Sequence, residues 1–168
     1  MTESTIATAL EAQRARIGQD NPPGDWLLIT QDRVNQFADV TDDHQYIHVD
    51  PERAKQTPFG GTIAHGFLTL SLCLMLPRYR ENGASDGVGA APAASSGPRP
   101  KMAVNYGLNK VRFPSPVPVG KRIRGSTRLL SVEEVAPNVL QSVTQVTIEV
   151  EDNPKPAAVI EMVGRQYY

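Results

Sequence analysis

The sequence predicts an α+β fold in which an antiparallel β-sheet wraps around one apolar helix. Two observations carry this. Residues 63–76 form a run too long for a strand and apolar nearly all round, which reads as a helix buried on most sides. Downstream, four β-like stretches at 102–113, 122–132, 139–151 and 157–168 are separated by turn signals at Pro114 to Pro118, Ala136-Pro137-Asn138 and Asp152-Asn153-Pro154. In the third stretch Leu140, Ser142, Thr144, Val146, Ile148 and Val150 share one face, and Gln141, Gln145, Thr147 and Glu149 share the other. That alternation belongs to a sheet with one buried face. Taken in order, the four strands form a meander. The 168 residues suit a single domain spanning 1–168, and 40% apolar residues with only 6% aromatics give it a mostly aliphatic core.

Each upstream element has its own local cause. Ile6, Leu10, Gln13 and Ile17 lie on one helical stripe, with Ser4 or Thr5 as N-cap and Gly18 as a stop. Asn21-Pro22-Pro23-Gly24 forces a turn, and 26–29 reads as a short strand. Thr30 caps a helix whose Val34, Phe37 and Ala38 repeat at i, i+3 and i+4 and which ends near Val40. The polar run 41–48 has neither period and reads as a loop. Asp50-Pro51-Glu52 is a helix start, because Asp caps free N–H groups, Pro is pre-set at the first helical position and Glu complements the dipole. Pro77 ends or kinks the apolar helix, and the Gly, Ala, Ser and Pro of 83–100 read as a flexible surface excursion.

Seventeen Lys and Arg against 18 Asp and Glu leave a net charge of -1, so no overall positive field exists to hold nucleic acid or an anionic membrane. The lone Cys73 excludes an internal disulfide and a cysteine-based zinc site, and reads as a small buried residue. The first residues lack the apolar core of a secretory signal, and the run 63–76 is shorter than the ~20 residues a membrane span needs. The expectation is a cytoplasmic protein.

Chemistry-bearing residues concentrate in the 41–48 loop. Asp43 and His48 are a carboxylate and an imidazole five positions apart, close enough for a bend to bring both onto one water. The alternative is structural, with Asp43 capping a turn and His48 satisfying a loop carbonyl. His44 and His48 with Asp43 or Asp50 form a weaker metal-ligand set, because no third histidine lies nearby in sequence. Ser71 with His65 lacks a nucleophile-elbow sequence, and His65 alone reads as a satisfied core or boundary histidine. Gly66, in the first turn of the apolar helix, either admits a ligand carbonyl to free N–H groups or allows a close helix-to-sheet contact.

Taken together, Phe37-Ala38, Asp43, His48, Asp50, Phe59-Gly60, Ile63-Ala64-His65-Gly66 and Leu72 resemble the MaoC-like (R)-specific enoyl-CoA hydratases. The resemblance is closer to the single-hot-dog hydratases and nodulation protein N-like proteins. It spans 34–76, and 105–113 with 116–120 look like the family's next strand and turn. It implies a hot-dog fold that dimerises edge to edge, with active sites near the interface. It also implies a reversible addition of water to trans-2-enoyl-CoA giving (R)-3-hydroxyacyl-CoA. Asp43 and His48 correspond to the acid/base pair, Gly66 to the backbone donor that polarises the thioester carbonyl, and no metal or redox cofactor is needed. One departure stands out: the family motif has Asn-Pro where this chain has Gln45-Tyr46. The same scaffold also serves thioesterases and non-catalytic acyl-thioester binders, which are the rival expectations. Both Asp43 and His48 are expected on a polar loop, away from the core, so that Asp43→Asn and His48→Gln leave folding intact.

Overall fold

The computed structural model describes residues 5–81 and 97–168. The chain opens with helix α1 (Thr5–Arg14), whose Ile6 and Ala9 pack against Val132 and Leu140 as a small satellite core. Thr5 falls inside this helix, while Ser4 and the greater part of the expected excursion lie outside the described residues. Two short strands follow, β1 (Asp20–Asn21) and β2 (Leu27–Leu28), and then α2 (Gln31–Thr41). Thr30 is its N-cap, accepting a hydrogen bond from the Arg33 N–H at 3.2 Å, as expected for a β-region residue with a hydroxyl. Short helical turns α3 (Tyr46–Val49) and α4 (Pro51–Ala54) precede α5 (Gly66–Ser71) and a 3-10 turn, Leu76–Arg78.

Four long strands complete the fold: β3 (Met102–Arg112), β4 (Arg122–Ala136), β5 (Val139–Val150) and β6 (Ala158–Tyr167). β4, β5 and β6 form the expected meander, but β3 does not pair with β4. It lies at the far edge beside β6, in the order β1-β4-β5-β6-β3 with β2 also on β4. The reason is in the connection. Pro114, Pro116 and Pro118 have no N–H to give a hairpin ladder, so the segment crosses over in extended form. Two of its backbone groups pair instead with the stretch just before α5: Ala64 N–H donates to Val117 O at 2.8 Å, and Val119 N–H donates to Thr62 O at 2.9 Å.

That pairing also corrects the reading of the apolar run. Ile63 is bridged to Pro118 and His65 is extended (φ -59°, ψ 139°), so the helix starts at Gly66 and not at Ile63. After Ser71 the path loosens through turns into the 3-10 turn that contains Pro77. The run is not buried on all sides either, since Phe67 is 69% exposed. Its inner face does enter the main core, where Leu68, Cys73 and Leu76 meet Ile123, Val146, Ile148 and Ile160 of the sheet. Contact is close enough to require glycine on both neighbours of Leu76. A Cβ on Gly125 would stand 2.9 Å from Leu76 Cβ, and one on Gly24 would stand 2.0 Å from Leu76 O. No helix among the described residues is long and apolar enough to cross a membrane.

Candidate active site

The loop that carries Asp43 begins with a reversal. Asp42 closes α2 in the left-handed conformation (φ 58°), which Asp tolerates better than most residues. Asp43 follows, exposed, with the Gln45 N–H 3.4 Å from its Oδ1 in a loose Asx-type contact. The chain then enters α3, so the expected loop is helical from Tyr46 onward. Tyr46 occupies the first helical position, where proline is also at home, so a chain without the Asn-Pro dipeptide still makes the turn.

His48 sits in this turn and is 7% exposed, not on the polar surface expected for it. Its Nδ1 lies 2.7 Å from the carbonyl of Ile63. A carbonyl only accepts, so Nδ1 carries the proton and Nε2 is left able to take one. Gln31, at the start of α2, fixes the turn from the other side: its Nε2 donates to His48 O at 2.7 Å, and its Oε1 accepts from Thr62 Oγ1 at 2.6 Å. Burial holds the His48 pKa below the usual imidazole value, and repulsion from His65 adds to that. The Ile63 carbonyl and the Asp43 carboxylate act in the opposite sense.

His65 is 2% exposed and is the member of the site that sequence reasoning passed over. Its ring stacks on that of His48 with centroids 3.8 Å apart and 31° between planes, and Phe37 closes the other side at 5.0 Å. Its Nε2 lies 2.9 Å from the backbone carbonyl of Asp43, while its Nδ1 is buried without a hydrogen-bond partner among the described residues. The available signal was the adjacency of His65 and Gly66, but only the crossover pairing at Ala64 turns that histidine toward the loop. Asp43, His48 and His65 each offer one atom within 4.8 Å of the others. Donor type would suit a divalent metal. One nitrogen of each ring is already engaged by a backbone carbonyl, His48 Nδ1 by Ile63 O and His65 Nε2 by Asp43 O. His44 is not part of the cluster. It faces Asp39 at 3.0 Å, which raises its pKa, and Asp50 is occupied as the N-cap of α4.

Gly66 is the first residue of α5, so its N–H has no intrahelical acceptor. A Cβ there would stand 3.3 Å from the Phe113 ring, so the glycine also serves a close approach. Ser71 is exposed and donates its hydroxyl to Phe67 O at 2.7 Å, away from His65. Cys73 is buried, and burial pushes its thiol pKa up.

Comparison with known proteins adds a family, two relatives and two solved structures. The family described as MaoC like domain matches residues 12–151. 3-Hydroxyacyl-thioester dehydratase Z of Mycobacterium tuberculosis is 47% identical over 165 residues, covering 98% of this chain and 97% of that protein. Nodulation protein N of Rhizobium leguminosarum bv. viciae is 41% identical over 149 residues, covering 85% and 81%. Among solved structures, the monoamine oxidase regulatory protein of an Archaeoglobus species aligns with a TM-score of 0.70 at 23% identity, over 90% of each chain. The (R)-hydratase from A. caviae involved in PHA biosynthesis aligns at 0.64 and 22%, over 88% of this chain and 94% of its own. These structural likenesses establish the hot-dog arrangement of sheet and helix.

Proposed function

The chain belongs to the MaoC-like dehydratase family, an enzyme family, and on that premise we propose that it adds water reversibly to trans-2-enoyl-CoA, giving (R)-3-hydroxyacyl-CoA. The observation that carries this is the His48 tautomer: Nδ1 is spent on Ile63 O, so Nε2 is left as a base within the cluster that includes the Asp43 carboxylate. In the hydration direction, Asp43 and His48 hold one water. An O–H bond of that water breaks toward the pair as its oxygen bonds C3, and the C2=C3 π electrons move onto the thioester oxygen. The Gly66 N–H, at the open end of a helix, receives that charge. The proton then returns to C2, so hydration consumes no other reactant. Dehydration runs the same steps backward, which is the direction named for the mycobacterial relative.

The protein acts as a cytoplasmic homodimer in this reading. β3 is exposed along almost its whole length, pairs with β6 on one side and has no strand on the other among the described residues. Met102, Val104, Tyr106 and Leu108 are exposed on it, and an open apolar edge is a liability unless a second chain covers it. Val104→Lys with Leu108→Glu is expected to convert the dimer to monomer in light scattering.

The decisive assay follows loss of the enoyl-thioester absorbance with short, medium and long enoyl-CoA, with chiral analysis of the product and a thiol-reactive dye in parallel. Formation of the (R)-alcohol without free thiol is expected. Release of CoA thiol would make it a thioesterase, and binding without spectral change would make it an acyl-thioester binder. Asp43→Asn is expected to lower kcat ~10²- to 10⁴-fold with little change in Tm, because the residue is exposed.

A further inference from the structure

The proposed pair is held together by a third residue. We infer that His65 is a positioning residue, which clamps the Asp43 loop to the His48 ring and thereby sets the separation of carboxylate and base. Two contacts from one imidazole do this. Nε2–H donates to the Asp43 carbonyl at 2.9 Å, and the ring face lies on His48 at 3.8 Å between centroids.

The need for such a clamp follows from the local chain. Asp43 comes after a left-handed residue, is exposed, and among the described residues its side chain is tied by the long Gln45 contact at 3.4 Å. His48, by contrast, is fixed by Ile63 O and by Gln31. A rigid base facing a loosely tethered acid does not keep a water in line, and catalysis falls steeply with small displacements. His65 bridges the two because it is anchored independently. It precedes α5, its neighbour Ala64 is paired to the crossover segment, and Phe37 of α2 packs on its ring. A histidine present only to fill space would not aim Nε2 at the backbone of the acid, while Nδ1 stays without a partner among the described residues.

His48 titration gives a second handle. The titratable groups acting on it are His65, from the segment before α5, and Asp43, from the loop after α2. On or beside its own turn, Asp50 is occupied in capping α4 and the Tyr46 ring lies under the Arg53 guanidinium. Removing His65 removes the repulsion that lowers the His48 pKa. The acidic limb of activity then moves to higher pH.

This inference rests on the hydratase reading, and the test separates the two. His65→Phe keeps a ring to stack but has no N–H for Asp43 O. His65→Gln keeps an amide N–H but has no ring. For His65→Phe, kcat on crotonyl-CoA is expected to fall roughly 10- to 100-fold at nearly constant KM, as a displacement of about 1 Å produces. For His65→Gln a smaller fall is expected, because the tie to Asp43 survives. In both, the ¹⁵N-imidazole titration of His48 by NMR is expected to shift to higher pH. A folded His65→Phe with parental kcat overturns the inference, as does a change in KM alone, which would make His65 a substrate-binding residue. If His65→Phe does not fold, His65→Gln decides: parental kcat and KM in that variant, which has lost the ring on His48, overturn it. An inactive parent protein sinks the hydratase reading, while movement of the Asp43 and His44 backbone amide resonances in His65→Phe, which needs no turnover, still decides whether His65 ties down that loop.

Discussion

Replacing Gly66 by proline tests the oxyanion assignment with one atom group. Gly66 is the first residue of α5, where proline is favoured because its missing N–H is one that the helix does not use. The preceding His65 already has φ -59° and ψ 139°, the extended geometry that a residue before proline adopts. The helix therefore tolerates the change while the proposed donor disappears. Loss of one oxyanion donor costs about 10²- to 10³-fold in kcat, or roughly 2.7–4 kcal/mol of transition-state stabilisation. A steric contribution must be subtracted, since any Cβ stands 3.3 to 3.5 Å from the Phe113 ring. Phe113 is 43% exposed and can swing aside, and Gly66→Ala measures this contact alone because it keeps the N–H. The assay is the initial rate of enoyl-thioester absorbance loss, with Tm measured in parallel. Gly66→Ala is expected within a few-fold of the parent and Gly66→Pro about 10²-fold or more below it. A folded Gly66→Pro that matches Gly66→Ala in kcat would refute the role of this amide.

Other expectations follow from the same geometry. Because burial lowers the His48 pKa, the acidic limb of kcat/KM is expected below the ordinary imidazole value of about 6.5. The sign for stability is fixed by the same shift: below about pH 6.5 the unfolded chain binds a proton that the native His48 resists, so stability falls as pH drops toward the native pKa. His48→Gln is expected to flatten that slope in denaturant titrations taken from pH 7 to pH 5. Unlike Asp43→Asn, it also costs about 1–3 kcal/mol of stability, because it disturbs a buried bond to Ile63 O. Gly24→Ala, whose methyl would collide with Leu76 O, is expected to cost about 1–3 kcal/mol, seen as a lower denaturation midpoint at unchanged m-value.

The elements written in local chemistry were legible before any coordinates. Thr30 as a cap, Asp50-Pro51 as a helix start and the alternation of β5 each depend on neighbours within a few positions, and the structure shows all three. The motif Asp43, His48 and Gly66 was legible as a resemblance. Less legible was the burial of His48, because a polar neighbourhood in sequence does not reveal that Gln31, Thr62 and Ile63 close around the turn. Sequence reads His65 as a satisfied core or boundary histidine, which is half of what it is: among the described residues one nitrogen is bonded and the other is not.

Sequence by itself determined the class of fold, the identity of the chemical groups and the starts of the two helices that carry their own caps, at Thr30 and Asp50, since period and capping are properties of short segments. Only the tertiary structure decided that β3 sits beside β6 and that the apolar run stays extended through His65. The same structure brought a carboxylate and two imidazoles within 4.8 Å of one another. The physical reason is shared. A proline-punctuated crossover cannot satisfy its own backbone, so it pairs with Thr62 to Ala64, and that long-range pairing fixes the direction in which the next two residues face.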